Sequence, residues 1–265
     1  MNIIRFDHAV LLMNDERRAR PFYLKVFGAE LDHDFVRTRN GRDFHRSFLN
    51  LGKGHGIGLF EDRTPVPAAR SAREWPSVVF RVPSDSYEAT VKAAEAAGAS
   101  VVREEVNLPG FRETAYFLDP EGNGIGLTSG NGGGPTAAAA TLARLELDVG
   151  DLDAAVPFYQ DAFGLDEVET GILPGRSPYA WFPLREEDQS VLLVEREDAP
   201  GRNPGQHFAF LVGRDDHMAG RERLVSFGVE QVPGHEGPRP ENEIGTYVLD
   251  PWGRKLQWIT NPDTP

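Results

Sequence analysis

Apolar residues recur along this chain in two periods, one helical and one of strands. Ala19, Phe22, Tyr23, Val26 and Phe27 fall at i, i+3, i+4, i+7 and i+8, one face of an amphipathic helix. Asp15 or Asn14 can cap its start and Gly28 ends it. Ala155, Phe158, Tyr159, Ala162 and Phe163 repeat that face 136 residues later, with Asp151 and Gly164 in the capping places. Pro21 and Pro157 match as well. Both lie inside the predicted helices, where a proline is expected to weaken or kink them. A shared irregularity argues for duplication more strongly than shared apolar residues do.

Two fainter copies follow the same plan. Ser84–Ala97 reads as a helix with Tyr87, Val91 and Ala94 on one face, and Asp215–Phe227 as one with Met218, Leu224 and Val225. A glycine closes each of the four helices: Gly28, Gly98, Gly164 and Gly228, at spacings of 70, 66 and 64 residues. A short apolar strand precedes each helix: Ile3–Met13, Val78–Val82, Leu142–Val149 and Phe208–Val212. Alternating runs follow, such as Phe44–Leu51, Ile57–Phe60, Tyr179–Pro183 and Val191–Val194. The fold class expected is α+β, with a βαβββ module present four times. Paired modules would enclose an open, partly apolar cleft.

The segment from Ser129 to Ala140 is rich in glycine and alanine and reads as a linker. It divides the chain into residues 1–128 and 141–265, each expected to form a tandem domain of two modules. The net charge is −13, from 41 acidic and 28 basic residues, a field that repels nucleic acid and anionic lipid. No apolar run reaches the length of a membrane span, and Met1–Asp7 reads as a strand without a signal peptide's long apolar core, so neither segment is expected. With no cysteine, disulfides, zinc–thiolate sites and iron–sulfur clusters are excluded. A cytoplasmic protein with a small-molecule partner is the expectation, and self-association as a homodimer is compatible with it. Nucleotide-binding glycine loops, the nucleophile elbow and His-Glu-x-x-His are absent.

Two motif pairs carry a family resemblance. Asp7-His8-Ala9-Val10 leads to Pro21-Phe22-Tyr23 and Phe27-Gly28, and Pro157-Phe158-Tyr159 with Phe163-Gly164 is its counterpart. Thr114 to Asn123 contains a strand ending in Asp119-Pro120-Glu121-Gly122, matched by Thr246 to Gly253 with Asp250-Pro251-Trp252-Gly253. The chain thereby resembles the vicinal oxygen chelate superfamily, which includes glyoxalase I, extradiol dioxygenases, fosfomycin-resistance enzymes and bleomycin-binding proteins. Four modules in one chain, and the stretch from Gly234 to Trp258, are most similar to the extradiol dioxygenases. That resemblance implies Fe(II) or Mn(II), a catechol-like substrate and oxygen insertion.

It also implies metal ligands on the first strand of each module and on the last strand of paired ones. Counting back from the helix-ending glycines places His8, Ser77, Arg144 and His207 on first strands; the last-strand positions are Gly126 and Gln257. Grouped by half, the first half offers His8, Ser77 and Gly126, and the second Arg144, His207 and Gln257. A non-haem centre wants two imidazoles and a carboxylate, so each group is incomplete. Glu146, two residues beyond Arg144 on the same strand face, could supply a carboxylate under a shifted register. His45, His55 and Glu61 could join His8 in a different site of the first half.

Arg144, His207 and Gln257 would otherwise form a cationic floor for an anion, with Tyr179 and Trp181 stacking on an aromatic ligand. Arg144 could equally pair with Glu146 or Glu195. Tyr247, ten residues before Gln257, and His235 in a Gly/Pro-rich loop are candidates for acid–base roles. His33 and His217 read as solvated. Two functions remain open: an enzyme acting on a small aromatic or anionic molecule, nearest to ring-cleaving dioxygenases, or a metal-free binding protein like the bleomycin-sequestering relatives.

Overall fold

The structure, a computed structural model, describes residues 3–62, 77–104, 113–130, 140–173, 177–185, 189–197, 206–232 and 244–260. In chain order, module 1 comprises β1 (Ile3–Met13), α1 (Glu16–Phe27), β2 (Glu30–Arg39), β3 (Arg42–Asn50) and β4 (Gly56–Glu61). Module 2 comprises β5 (Ser77–Pro83), α2 (Tyr87–Ala96), β6 (Val102–Glu104), β7 (Thr114–Leu118) and β8 (Gly124–Gly130). Module 3 comprises β9 (Thr141–Val149), α3 (Leu152–Phe163), β10 (Glu169–Ile172), β11 (Pro178–Pro183) and β12 (Ser190–Glu195). Module 4 comprises β13 (His207–Val212), α4 (Arg214–Ser226), β14 (Ile244–Leu249) and β15 (Lys255–Thr260).

The helix ends follow from residue chemistry. Asp15 and Asp151 are extended N-caps whose carboxylates accept from Arg17 N and from Asp153 N and Ala154 N. The four closing glycines all have positive φ, 63° at Gly28, 91° at Gly98, 67° at Gly164 and 70° at Gly228, a region that costs a residue with a Cβ. Contrary to the expected kinks, α1 and α3 run through Pro21 and Pro157 without a break. A proline there removes one backbone hydrogen bond, and the buried faces of Ala19, Tyr23 and Phe27, and of Ala155, Tyr159 and Phe163, hold the helices against the sheets. In α4 the expected face holds at Leu224 alone: Met218 and Val225 are exposed, and His217 and Gly220 are buried beside Leu224. His217 is therefore a packed residue, not a solvated one, and burial lowers its pKa.

The sheets join modules across the halves. The seven-stranded sheet runs β14-β15-β13-β1-β4-β3-β2 and so combines modules 1 and 4. The eight-stranded sheet runs β10-β11-β12-β9-β5-β8-β7-β6 and combines modules 2 and 3. The central joints are antiparallel, β1 to β13 and β5 to β9. Within each half it is the helix side that holds the two modules together. Tyr23 on α1 donates to Asp119 Oδ2 at 2.7 Å, and Tyr159 on α3 donates to Asp250 Oδ2 at 2.8 Å. The other oxygen of each aspartate accepts backbone N–H groups of its own Asp-Pro-x-Gly turn. The paired motifs are thus two ends of one buried hydrogen bond. Burial and the neighbouring carboxylate push both tyrosine hydroxyls far above their usual pKa. One apolar core spans the helix-facing sides of both sheets.

The two sheets meet at a quasi-symmetric clasp. His55 and Gln189 occupy equivalent places, each just before the last strand of its module. Gln189 Oε1 accepts from Phe6 N at 2.7 Å, and its amide nitrogen donates to Phe6 O and Leu142 O. His55 Nδ1 accepts from Leu142 N at 3.0 Å, and Leu142 lies 136 residues after Phe6. This fixes the neutral imidazole with its proton on Nε2, 3.2 Å from the Gln189 amide nitrogen. Burial, helped by the Arg5 charge, holds His55 down to a pKa of about 4, against 6.5 for a free imidazole.

An unfolded chain therefore takes up this proton more readily than the folded one. The stability contributed by neutral His55 is complete above about pH 6.5 and is lost as pH falls through about 4. At ~1.4 kcal/mol per pH unit, urea unfolding should show a loss of about 3 kcal/mol across that window. His55→Gln, which copies the clasp on the other side, should flatten that stretch of the profile. An unchanged profile in the variant would assign the acid sensitivity elsewhere.

Candidate functional site

Strand register lays the polar candidates out in rows across the helix-free face of the seven-stranded sheet. One row reads Tyr247, Gln257, Ala209, His8 and Gly56, from β14 through β15, β13 and β1 to β4. The next reads Leu249, Lys255, His207, Val10, Gly58, Phe48 and His33. A third reads Leu12, Phe60, Arg46 and Phe35. His207, Gln257, Tyr247, Lys255 and Arg46 are buried on this face although no helix covers it.

The centre of this face holds two imidazoles. His8 and His207 stand edge to face with ring centroids 5.5 Å apart. Asp7 Oδ2 lies 3.0 Å from His8 Nδ1, an arrangement that puts the proton on Nδ1 and leaves the Nε2 lone pair for a ligand. The His8 hydrogen bond and nearby positive charges outweigh burial and keep the Asp7 carboxyl below its usual pKa. Ala209, a methyl side chain, separates Gln257 from His8. Gln257 is 2% exposed, and among the described residues its Oε1 has no hydrogen-bond partner. The Tyr247 ring packs against His207 at 5.3 Å and under Lys255 Nζ at 4.6 Å.

Grouping candidates by half is thereby corrected. His8 joins His207 and Gln257, because β1 and β13 are neighbours. Arg144, Glu146, Tyr179 and Trp181 belong to the other sheet and do not approach His207 or Gln257. Ser77 and Gly126 lie in that sheet too. His235 lies outside the described residues. His45 meets Arg17 at 3.0 Å, and both Glu61 oxygens accept backbone N–H groups, from Glu16 and His45. His55 belongs to the clasp. These three do not assemble with His8.

The eight-stranded sheet repeats the first row as Tyr116, Gly126, Val79, Arg144 and Ser190. Here Arg144 replaces His8, Gly126 replaces Gln257 and Val79 replaces Ala209. A Cβ at Gly126 would come within 2.7 Å of Val79 Cγ2, so the valine occupies the volume a longer side chain would need. Fully buried Arg144 reaches Glu146 Oε1 at 2.7–2.8 Å, Thr114 at 3.2 Å and Tyr116 at 3.3 Å, and Tyr116 donates to the same Glu146 oxygen at 2.6 Å. The ion pair with Glu146, one of the two uses expected of Arg144, is the arrangement present. Tyr179 packs with Tyr116, Leu173, Leu192 and Val194, with Trp181 against them.

The three donors His8, His207 and Gln257 fit a divalent cation in kind. Two imidazoles and a buried amide oxygen supply three of the positions a catalytic centre uses, all neutral. Among the described residues no cluster of three His, Cys, Asp or Glu side chains forms a metal site. The structural equivalent of Gln257 on the other last strand of this sheet is Gly58. A Cβ there would lie 2.8 Å from Val10 Cγ2, so no fourth protein ligand can be placed at that point.

Comparison with known proteins places the fold in a family. Residues 5–127 match the family described as glyoxalase/bleomycin resistance protein/dioxygenase superfamily, and residues 144–259 match a glyoxalase-like domain. An Arabidopsis thaliana protein named "Probable lactoylglutathione lyase, chloroplastic" is 30% identical over 98% of this chain and 73% of its own length. The chain belongs to the glyoxalase/bleomycin resistance protein/dioxygenase superfamily. Among solved structures, a Bacillus subtilis protein titled "putative dioxygenase" aligns over 99% of this chain and 87% of its own with TM-score 0.76 and 15% identity. Glyoxalase I from Zea mays aligns over 98% and 93% with TM-score 0.66 and 20% identity. At these identities the two structures establish the shared fold. No helix among the described residues is long and apolar enough to cross a membrane.

Removing one member of the Arg144 network should be costly, because it leaves a buried charge unpaired. Glu146→Ala is expected to lower stability by about 3–5 kcal/mol in chemical denaturation. A loss below ~1 kcal/mol would mean that solvent reaches Arg144.

Proposed function

We propose that the chain is an enzyme acting on a small organic molecule held against the helix-free face of the seven-stranded sheet, with His8, His207 and Gln257 as ligands of a divalent cation. The observation carrying this reading is the meeting of two imidazoles from opposite halves beside a buried, unpartnered amide oxygen. A bound cation polarises a substrate oxygen. The chain's own groups do the rest. Asp7 fixes the tautomer and orientation of His8. Tyr247 packs against His207 and bounds one side of the site. Val10, Phe48 and Phe60 make the opposite side apolar and exclude water from the reacting atoms.

The sequence likeness to a protein named a lactoylglutathione lyase, over 98% of this chain and 73% of that protein, favours lyase chemistry over oxygen insertion, since the dioxygenase likeness rests on fold alone. Mn(II) or Fe(II) would be held by this neutral set only loosely, as no carboxylate offsets their charge. That same absence favours the second reading, a metal-free binding protein.

The test is calorimetric titration of chelator-free protein with Ni(II), Zn(II), Mn(II) and Fe(II), together with turnover of lactoylglutathione. Stoichiometric binding is expected, weakened about tenfold or more in His8→Ala and in His207→Ala. Gln257→Glu should tighten it by adding the missing negative charge. A parent protein that binds none of these ions, with Gln257→Glu behaving like the parent, would leave the binding-protein reading.

A further inference from the structure

Arg46 stands out as a buried cation with no carboxylate ion pair among the described residues. It lies on β3, 8% exposed, with its Cζ 4.5 Å over the Phe60 ring. Among the described residues its Nε and Nη1 have no hydrogen-bond partner. An unpaired guanidinium in such a place costs several kcal/mol unless something supplies acceptors. The surrounding charges make matters worse. Burial comes first, then Arg37 and Arg39; Asp62 is the opposing charge, and Arg46 falls to a pKa of about 10.

The second cation is Lys255 on β15. It is 6% exposed, and burial together with the Arg46 charge brings it down to about 8. In the sheet, β13, β1 and β4 separate β15 from β3, about 19 Å on a flat sheet at the usual spacing. Register places both on the same helix-free face in adjoining rows, Lys255 over the Tyr247 ring on one side of the His8–His207 pair and Arg46 over the Phe60 ring on the other. A chain of net charge −13 has here reversed its local sign on an aromatic-lined face.

We infer that Arg46 and Lys255 form a clamp for an organic oxyanion, a carboxylate, phosphate or phosphonate, whose carbon skeleton lies on Phe48, Phe60 and Tyr247 and whose far end faces His8 and His207. This specifies the substrate class of the site proposed above and rests on that reading for its location. Guanidinium presents a flat edge of N–H donors that suits two anionic oxygens at once, and the Phe60 ring holds it there without neutralising it. A neutral ligand of the same shape would leave the guanidinium unpaired, so selection for charge is strong.

The test is a set of calorimetric or thermal-shift titrations with benzoate, phenylphosphonate, inorganic phosphate and the neutral isostere benzyl alcohol. Benzoate and phenylphosphonate should bind at least about tenfold tighter than benzyl alcohol, and both tighter than inorganic phosphate, which lacks the ring. Arg46→Met should abolish the preference for charge and Arg46→Lys should keep part of it. Lys255→Met, on the other wall, should reduce it several-fold and carries the test if Arg46→Met does not fold. Arg103→Met, which removes a surface pair with Glu88 on the other sheet, should leave it unchanged.

Equal affinity for benzyl alcohol and benzoate in the parent, or an undiminished preference in folded Arg46→Met and Lys255→Met, would overturn the clamp. His207→Ala separates the two ideas. Anion preference kept after cation binding is lost supports the clamp, and the same variant losing neither counts against the cation site alone.

Discussion

Antiparallel pairing of β1 with β13 is the constraint from which the site follows. It sets His8 beside Ala209 and Val10 beside His207, so that an imidazole from each half of the chain faces the other. Had modules 1 and 2 shared one sheet, each of the resulting faces would carry a single imidazole among Ser77, Gly126 and Arg144. The crossed arrangement is held from two directions. Buried tyrosine–aspartate bonds fasten the modules of one half through their helices, and the strands fasten the halves to each other. At the seam, Gln189 and His55 satisfy backbone groups at the first strands that would otherwise be buried without partners.

Much of this was legible in the residues, and the limit is physical. Helical spacing fixed the buried face of α1 residue by residue, and the four glycines all take the left-handed conformation that their position requires. Register confirms that His8, Ser77, Arg144 and His207 are equivalent places, as are Gly126 and Gln257. What periodicity does not encode is which module pairs with which. Four copies of one module present the same apolar edge, so each pairing scheme satisfies the same pattern of buried positions. Contacts that cross from one module to another, such as those of Gln189 with Phe6 and of His55 with Leu142, look ordinary in isolation. The α4 face was misread because its apolar residues are few, and packing chose His217 and Gly220 over Met218. Arg46 gave no signal, since a strand arginine between Phe44 and Phe48 reads as a solvated residue until its burial is known.

The two sheets show one architecture put to two uses. On the eight-stranded sheet a charge-neutral network of Arg144, Glu146, Tyr116 and Thr114 fills the equivalent place, and Val79 takes the room left by Gly126. On the seven-stranded sheet, Ala209 keeps the room and Gln257 enters it. A volume change of two methyl groups on the middle strand, Val79 against Ala209, decides which face has room for a side chain such as Gln257. On the eight-stranded sheet the charge of Arg144 is neutralised within the protein by Glu146; under the proposed function, the equivalent neutral donors of the seven-stranded sheet are the ones that hold a guest.

Because each sheet draws strands from both ends of the polypeptide, neither half can complete a sheet by itself. Fragments severed at the Gly/Ala-rich connection would each expose the bare edges of a central strand and would have to find one another to regain either hollow. A change near the amino terminus and one near the carboxyl terminus can therefore meet in the same sheet, His8 of the first half and His207 of the second being ring neighbours.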